Sequence, residues 1–130
     1  DRAWELLADV ARWPEWAPHI TSASVDPPGA VGPTSHGRFR FRPTGRGAFR
    51  MTAWDPPRSW TWTGRAMGVT IDYDHAFEPI DDRRSRLRWV VRTASGRRGV
   101  RARLFAVVYS RFIDRAWPGF AHWAAEPESR

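Results

Sequence analysis

Few side chains in this sequence are suited to acid–base chemistry, and His75 is the strongest candidate. It alternates with Tyr73 and Phe77 along one face of a predicted strand, so its imidazole would lie among apolar neighbours. There His75 could act as a general acid or base near neutral pH. The alternative is a neutral core histidine that is hydrogen-bonded to Tyr73, Tyr109 or the backbone. We favour this alternative because no nucleophile or second carboxylate accompanies His75.

Metal and thiol chemistry have little support in the composition. The chain has no cysteine, which excludes a disulfide, a thiolate metal ligand and a cysteine nucleophile. Its histidines also lack the spacing of metal ligands; they are His19, His36, His75 and His122. We therefore expect neither a metal nor a cofactor.

Nine tryptophans in 130 residues indicate an aromatic-rich core or a ligand cavity. Trp60 and Trp62 share one strand face and could stack on a planar ligand. A five-residue loop before them would pair Trp60 with Trp54 and turn both rings outward, whereas a bulge near Pro56 and Pro57 would turn them inward. Both orientations stay open. Further candidate ligand contacts are Tyr73, His75, Trp89, Phe105 and Tyr109.

The charge is strongly basic, with 21 basic residues, all arginine, against 14 acidic ones, and a net charge of +7. The chain also lacks Asn and Gln, which indicates a coding bias rather than a need for guanidinium groups. Residues 38–42 read RFRFR, a pattern that a nucleic-acid-binding strand could use. Simple alternation in a half-buried strand produces the same pattern, so we do not expect nucleic acid as a partner.

Hydrophobic periodicity predicts two short helical segments, six strands and one long helix. The predicted elements are a helix over 1–10 with Asp1 as its N-cap, a turn or one-turn helix between Pro14 and Pro18, strands over 19–26, 35–42, 47–54, 59–66, 69–78 and 85–94, and a helix over 97–126. Hairpin-length loops between the strands predict an antiparallel meander, and no helix interrupts them as a parallel sheet would require. Pro118 predicts a kink or break in the last helix.

One register satisfies the patterns of the last two predicted strands. It pairs Phe77 with Leu87, His75 with Trp89, and Tyr73 with Val91 on the inner face; outside, Asp72 faces Arg92, and Asp74 is diagonal to Arg88 and Arg92.

Two apolar stripes run along the last predicted helix. One comprises Val100, Leu104, Val107, Val108 and Phe112; the adjoining one comprises Phe105, Tyr109, Phe112 and Ala116. We expect the helix to cover the apolar face of a curved antiparallel sheet, which is an α+β fold.

The length of 130 residues fits a single domain over 1–130. The longest apolar run, residues 104–109, is far shorter than the roughly 18 residues of a membrane span. Because no signal peptide is visible either, we expect a cytoplasmic protein.

Seven segments, in order, resemble the polyketide cyclase/dehydrase-type group of the SRPBCC superfamily, which has the START-like helix-grip fold. They are WELLADV at 4–10, WPEWAP at 13–18, GRFR at 37–40, WDPPR at 54–58, WTW at 60–62, HAFEP at 75–79 and RLRW at 86–89. The resemblance implies a sheet that grips a long C-terminal helix, two short helices at one end, and a deep apolar cavity between them. It also implies a strand before the first helix, which this sequence lacks.

The resemblance implies an apolar ligand and supports the first two of three candidate functions, whereas the third rests on the net charge of +7 and the outward-facing arginines. The first is binding of a hydrophobic, polycyclic or polyketide-like small molecule in the cavity. The second is a cyclase or dehydratase that uses His75 and Tyr73, with Tyr109 as a third candidate. The third is a basic surface module for nucleic acid or anionic lipid. A second copy of the chain is a further candidate partner.

Overall fold

The computed structural model describes residues 2–93 and 99–125, and it confirms the α+β helix-grip arrangement. The elements are helix α1 (Arg2–Ala8), a 3₁₀ helix (Val10–Glu15), strands β1 (Ile20–Asp26), β2 (His36–Phe41), β3 (Gly45–Asp55), β4 (Ser59–Ala66), β5 (Val69–Pro79) and β6 (Ser85–Thr93), and helix α2 (Val100–Ala125). Each strand boundary lies within two residues of its predicted place.

The N-terminal helix is shorter than predicted, because a 3₁₀ helix replaces its last turn. That 3₁₀ helix also contains Pro14, where the sequence predicted that a new turn would begin. The indole N–H of Trp13 donates a hydrogen bond of 2.9 Å to the carbonyl oxygen of Leu7, which folds the segment back over α1. The predicted N-cap, Asp1, lies outside the described residues.

The six strands form one antiparallel meander in the order β1 to β6. The predicted register of β5 with β6 is confirmed throughout. On the outer face Asp74 is diagonal to Arg88 and Arg92, as predicted, and it accepts a hydrogen bond of 2.9 Å from Arg92. Arg88 lies instead 3.5 Å from Glu78.

A β-bulge in β3 decides which way the paired tryptophans point. Trp54 faces Trp60, as the short loop requires, but the register shifts between Met51 and Ala53, so that Met51 faces Trp62. The extra residue turns Trp60 and Trp62 inward, and they are 1% and 2% exposed. The bulge lies inside the strand rather than at the two prolines.

Helix α2 covers the sheet, but with only one of its two predicted stripes. Its buried residues are Ala102, Tyr109, Ile113, Ala116 and Phe120, whereas the first stripe, from Val100 to Val108, is exposed. At about 100° per residue, Val100 and Val107 lie on the side of the helix away from the sheet, whereas Leu104, Val108 and Phe112 line a cleft between the helix and two turns of the sheet. The prediction that α2 covers the sheet is confirmed, and the stripe that contains Tyr109 and Ala116 makes the contact.

The predicted break at Pro118 does not occur, because α2 runs on to Ala125 as one helix. The next residue, Gly119, packs against the backbone of Trp16, and a Cβ there would lie 2.9 Å from the Trp16 carbonyl oxygen. This close approach holds the C-terminal half of α2 against the chain that precedes β1. None of the described helices is long and apolar enough to cross a membrane.

Candidate ligand site

His75 lies at the centre of an aromatic cluster between the sheet and the 3₁₀ helix. Its ring centroid is 4.4 Å from Trp89, 4.9 Å from Trp62 and 5.0 Å from Trp60. Trp13 closes the cluster from the 3₁₀ helix, with its ring 5.3 Å from Trp89. Aromatic rings thus fill the middle of the molecule.

The His75 imidazole is neutral at neutral pH. It is fully buried, and burial lowers its pKa to about 3; backbone groups of Trp60 and Tyr73 and the Asp74 carboxylate oppose this only in part. Neither ring nitrogen meets hydrogen-bond geometry with any described residue. The imidazole is therefore a weak base held among aromatic rings.

A cleft of about 920 Å³ lies at one end of the molecule. The β2–β3 and β4–β5 turns and the first half of α2 surround it, because all three lie at the same end of the meander. Its walls are mainly apolar and include Phe41, Val69, Leu104, Phe105, Val108 and Phe112. Arg42, Arg46 and Arg101 also line the cleft.

His19 lies in the wall of this cleft, and its position was not predicted from the sequence. Its ring stacks on Phe112 with the centroids 5.6 Å apart and meets the Tyr109 ring edge-on at the same distance. It is 7% exposed, and burial lowers its pKa to about 4. Neither of its ring nitrogens has a hydrogen-bond partner in residues 2–93 and 99–125. His19 follows Pro18 and directly precedes β1, and nothing in the surrounding sequence indicates a ligand site there. From the sequence we considered it only as a metal ligand and rejected that role.

A second, smaller cavity of about 20 Å³ lies next to the cleft. It has room for about one water molecule. Trp62, Tyr73 and Tyr109 are among its walls, and Gly64 leaves space for the Tyr73 ring, because a Cβ there would lie 2.7 Å from the Tyr73 Cε2. Phe41, Ala66 and Tyr109 line both spaces and together separate them.

The two tyrosines can act only as neutral hydrogen-bonding groups. Their rings lie 5.3 Å apart, and burial raises the pKa of both hydroxyls above the usual value of 10.0. Such hydroxyls can donate a hydrogen bond to a carbonyl oxygen but do not ionise at neutral pH.

The structure divides the six predicted ligand contacts into three groups. Phe105 and Tyr109 line the cleft, Trp62 and Tyr73 line the small cavity with Tyr109, and His75 and Trp89 line neither space. In the described part of the chain, no three His, Cys, Asp or Glu side chains are grouped as metal ligands.

Comparison with known proteins agrees with this architecture. The family model for polyketide cyclase/dehydrase and lipid transport proteins matches residues 1–121. The chain belongs to this family. The match to the polyketide cyclase/dehydrase and lipid transport family includes all six strands and most of α2, which confirms the resemblance seen in the sequence. A search of curated proteins found no match.

Proposed function

We propose that this member of the polyketide cyclase/dehydrase and lipid transport family binds a hydrophobic small molecule in the cleft beside α2. The cleft of about 920 Å³ is the observation that carries the proposal. Small-molecule sites commonly span roughly 300–1,000 Å³ and have mostly apolar walls with few polar groups. A planar, polycyclic or polyketide-like compound suits walls that contain Phe41, Phe105 and Tyr109.

The ligand would reach further inward past Tyr109. A rotation of this side chain would join the cleft to the small cavity, because Tyr109 forms part of both walls. The ligand would then meet Trp62 and the hydroxyl of Tyr73, while His75 and Trp89 support these side chains from behind. Deep binding of this kind gives each of the six predicted contacts a role.

Mass spectrometry under native and denaturing conditions would test the proposal first. An additional mass that leaves on denaturation would identify a bound compound. Titration with the neutral polycyclic dye Nile red gives a second readout. Val108→Trp should fill part of the cleft and weaken dye binding by about tenfold or more, because the dye would then bury less apolar surface, by about the amount of one side chain.

Val90→Trp is the matched control for this titration. Val90 is 38% exposed on β6 and Val108 is 45% exposed on α2, and only Val108 lines the cleft. Equal dye affinity of the two variants would contradict binding in the cleft.

A cyclase or dehydratase is the second candidate, and the pairing of Tyr73 with Tyr109 at the small cavity favours it. In this mechanism Tyr73 or Tyr109 donates a hydrogen bond to a substrate carbonyl, and His75, which lines neither space, would have to become accessible in order to remove a proton from the adjacent carbon. The lowered pKa of His75 makes it a weak base, and for this reason we rank binding first. If His75→Phe and Tyr73→Phe both cyclise a poly-β-ketone substrate at the wild-type rate, the enzymatic proposal is lost.

A further inference from the structure

Helix α2 carries a second apolar surface on the side away from the sheet, here called the outer face. It consists of Val100 and Val107, which are 84% and 55% exposed, and it is continuous with Leu104 and Val108, 63% and 45% exposed, at the edge of the cleft. A helix that packs by one stripe normally places polar groups on the other side. A contiguous exposed apolar surface of this kind marks an interaction site.

The β4–β5 turn extends this apolar surface across the mouth of the cleft. Met67, at its tip, is 77% exposed and lines the cleft together with Leu104 and Val108. Met67 has φ 53° and Gly68 has φ 76°, and such turns ordinarily place Asn, Asp or Gly at the first position. An apolar side chain thus stands in solvent at a place where the backbone favours a small or polar residue.

Arginines surround the apolar surface. Arg42 and Arg46 flank the β2–β3 turn, and Arg101, Arg103 and Arg111 belong to α2. The segments at this end that the structure describes, residues 41–47, 64–71 and 99–113, contain no Asp or Glu, and the acidic residues that directly follow the last two segments are Asp72 and Asp114. None of the described ion pairs involves Arg101, Arg103 or Arg111, and the region is therefore cationic.

We propose that the outer face of α2 and the tip of the β4–β5 turn dock onto an anionic phospholipid bilayer. Amphipathic helices with apolar and arginine side chains bind at the boundary between lipid headgroups and acyl chains. A second copy of the chain fits less well, because a two-fold contact would bring the same cationic region against itself. Nucleic acid would pair with the arginines but would leave the valines and Met67 in water.

Flotation with vesicles tests the proposal. Vesicles of phosphatidylcholine mixed with phosphatidylglycerol should carry the protein, vesicles of phosphatidylcholine alone should carry much less, and added salt should weaken the binding by screening. Val100→Gln with Val107→Gln should reduce the partition by about tenfold or more. Arg103→Gln with Arg111→Gln should reduce it by about 25-fold, about fivefold for each arginine.

Matched controls separate docking from general effects of charge and surface hydrophobicity. Ile80→Gln with Val90→Gln removes two exposed apolar side chains elsewhere, and Arg38→Gln with Arg40→Gln removes two arginines from the outer side of β2. Both control pairs should bind vesicles like the wild type. None of the four residues changed in the docking variants lines the cleft, so Nile red binding should be unchanged in them. Failure of docking is therefore distinguishable from failure of ligand binding.

Three results would overturn the proposal. One is equal binding to the two kinds of vesicle, or an equal loss in the docking and control variants. Another is a dimer in analytical ultracentrifugation that Val100→Gln with Val107→Gln dissociates, which would assign the face to a second copy. The third is retention by duplex DNA or RNA without vesicle binding, which would assign the arginines to nucleic acid.

Discussion

Replacing His75 with phenylalanine should flatten the dependence of folding stability on pH below neutrality. The imidazole has an ordinary pKa of 6.5 when solvent reaches it, and burial lowers that pKa to about 3 in the folded chain. Below pH 6.5 the unfolded chain therefore binds a proton that the folded chain excludes. The stability that the neutral His75 contributes is fully present above pH 6.5, and it is lost progressively as the pH falls toward the pKa of about 3 in the folded chain.

The slope follows from one proton. Each pH unit in this window lowers the free energy of unfolding by about 1.4 kcal/mol, which is about 3 kcal/mol between pH 6.5 and about pH 4.5. His19, whose pKa is lowered to about 4, adds a similar slope over the same interval. His75→Phe should thus remove about half of the histidine contribution. Its larger ring should cost about 1–3 kcal/mol from overpacking, equally at every pH.

Urea unfolding followed by tryptophan fluorescence, repeated from pH 7 to pH 4, measures these slopes. Ile71→Val is the matched control, since it changes another buried side chain of β5 without a titrating group. It should lower stability by about 1 kcal/mol at every pH and leave the slope unchanged. Parallel curves for wild type and His75→Phe would refute the account of His75 as a neutral imidazole that burial keeps from ionising.

Three further changes test other parts of the structure. Gly64→Ala should destabilise the fold by about 1–3 kcal/mol in thermal unfolding, because its Cβ would lie 2.7 Å from the Tyr73 ring; an unchanged Tm would contradict this packing. Met67→Asn should stabilise the fold by about 1 kcal/mol, since Asn tolerates a φ of 53°, and a lower Tm would argue against that backbone conformation. Asp74→Asn should cost about 1 kcal/mol, because Arg92 is exposed to solvent while Asp74 is partly buried and also accepts a hydrogen bond from Thr61. The Arg92 hydrogen bond lowers the pKa of Asp74, so this cost should vanish as acid protonates Asp74 in the wild type.

The strands could be predicted because the alternation of apolar and polar residues along each strand shows which face is buried. Alternation along β5 and β6 placed His75 opposite Trp89 and Tyr73 opposite Val91, and the structure has this register. Only one offset puts apolar residues on one face and Asp with Arg on the other, and a slip of one residue would exchange the faces.

The direction of Trp60 and Trp62 could not be predicted, since it depends on one extra residue at Thr52 in the neighbouring strand. A bulge destabilises a strand only slightly and has no consistent sequence pattern, whereas the burial of two tryptophans that it allows stabilises the fold strongly. The same limit applied to α2, where two adjoining stripes were equally apolar. The sheet can cover only one side of a helix, and it covers the side with Tyr109 and Ile113.

The sequence by itself determined the fold class, the order of the elements, the family and the neutral interior position of His75. These follow from periodicity and residue type, which act over a few neighbouring residues. Only the tertiary structure decided where empty space remains. Rings from four elements fill the region around His75, and the cleft opens instead between two turns and α2, with His19 in its wall. Cavities arise from the mismatch of distant surfaces, and such a mismatch is a property of packing rather than of any one segment.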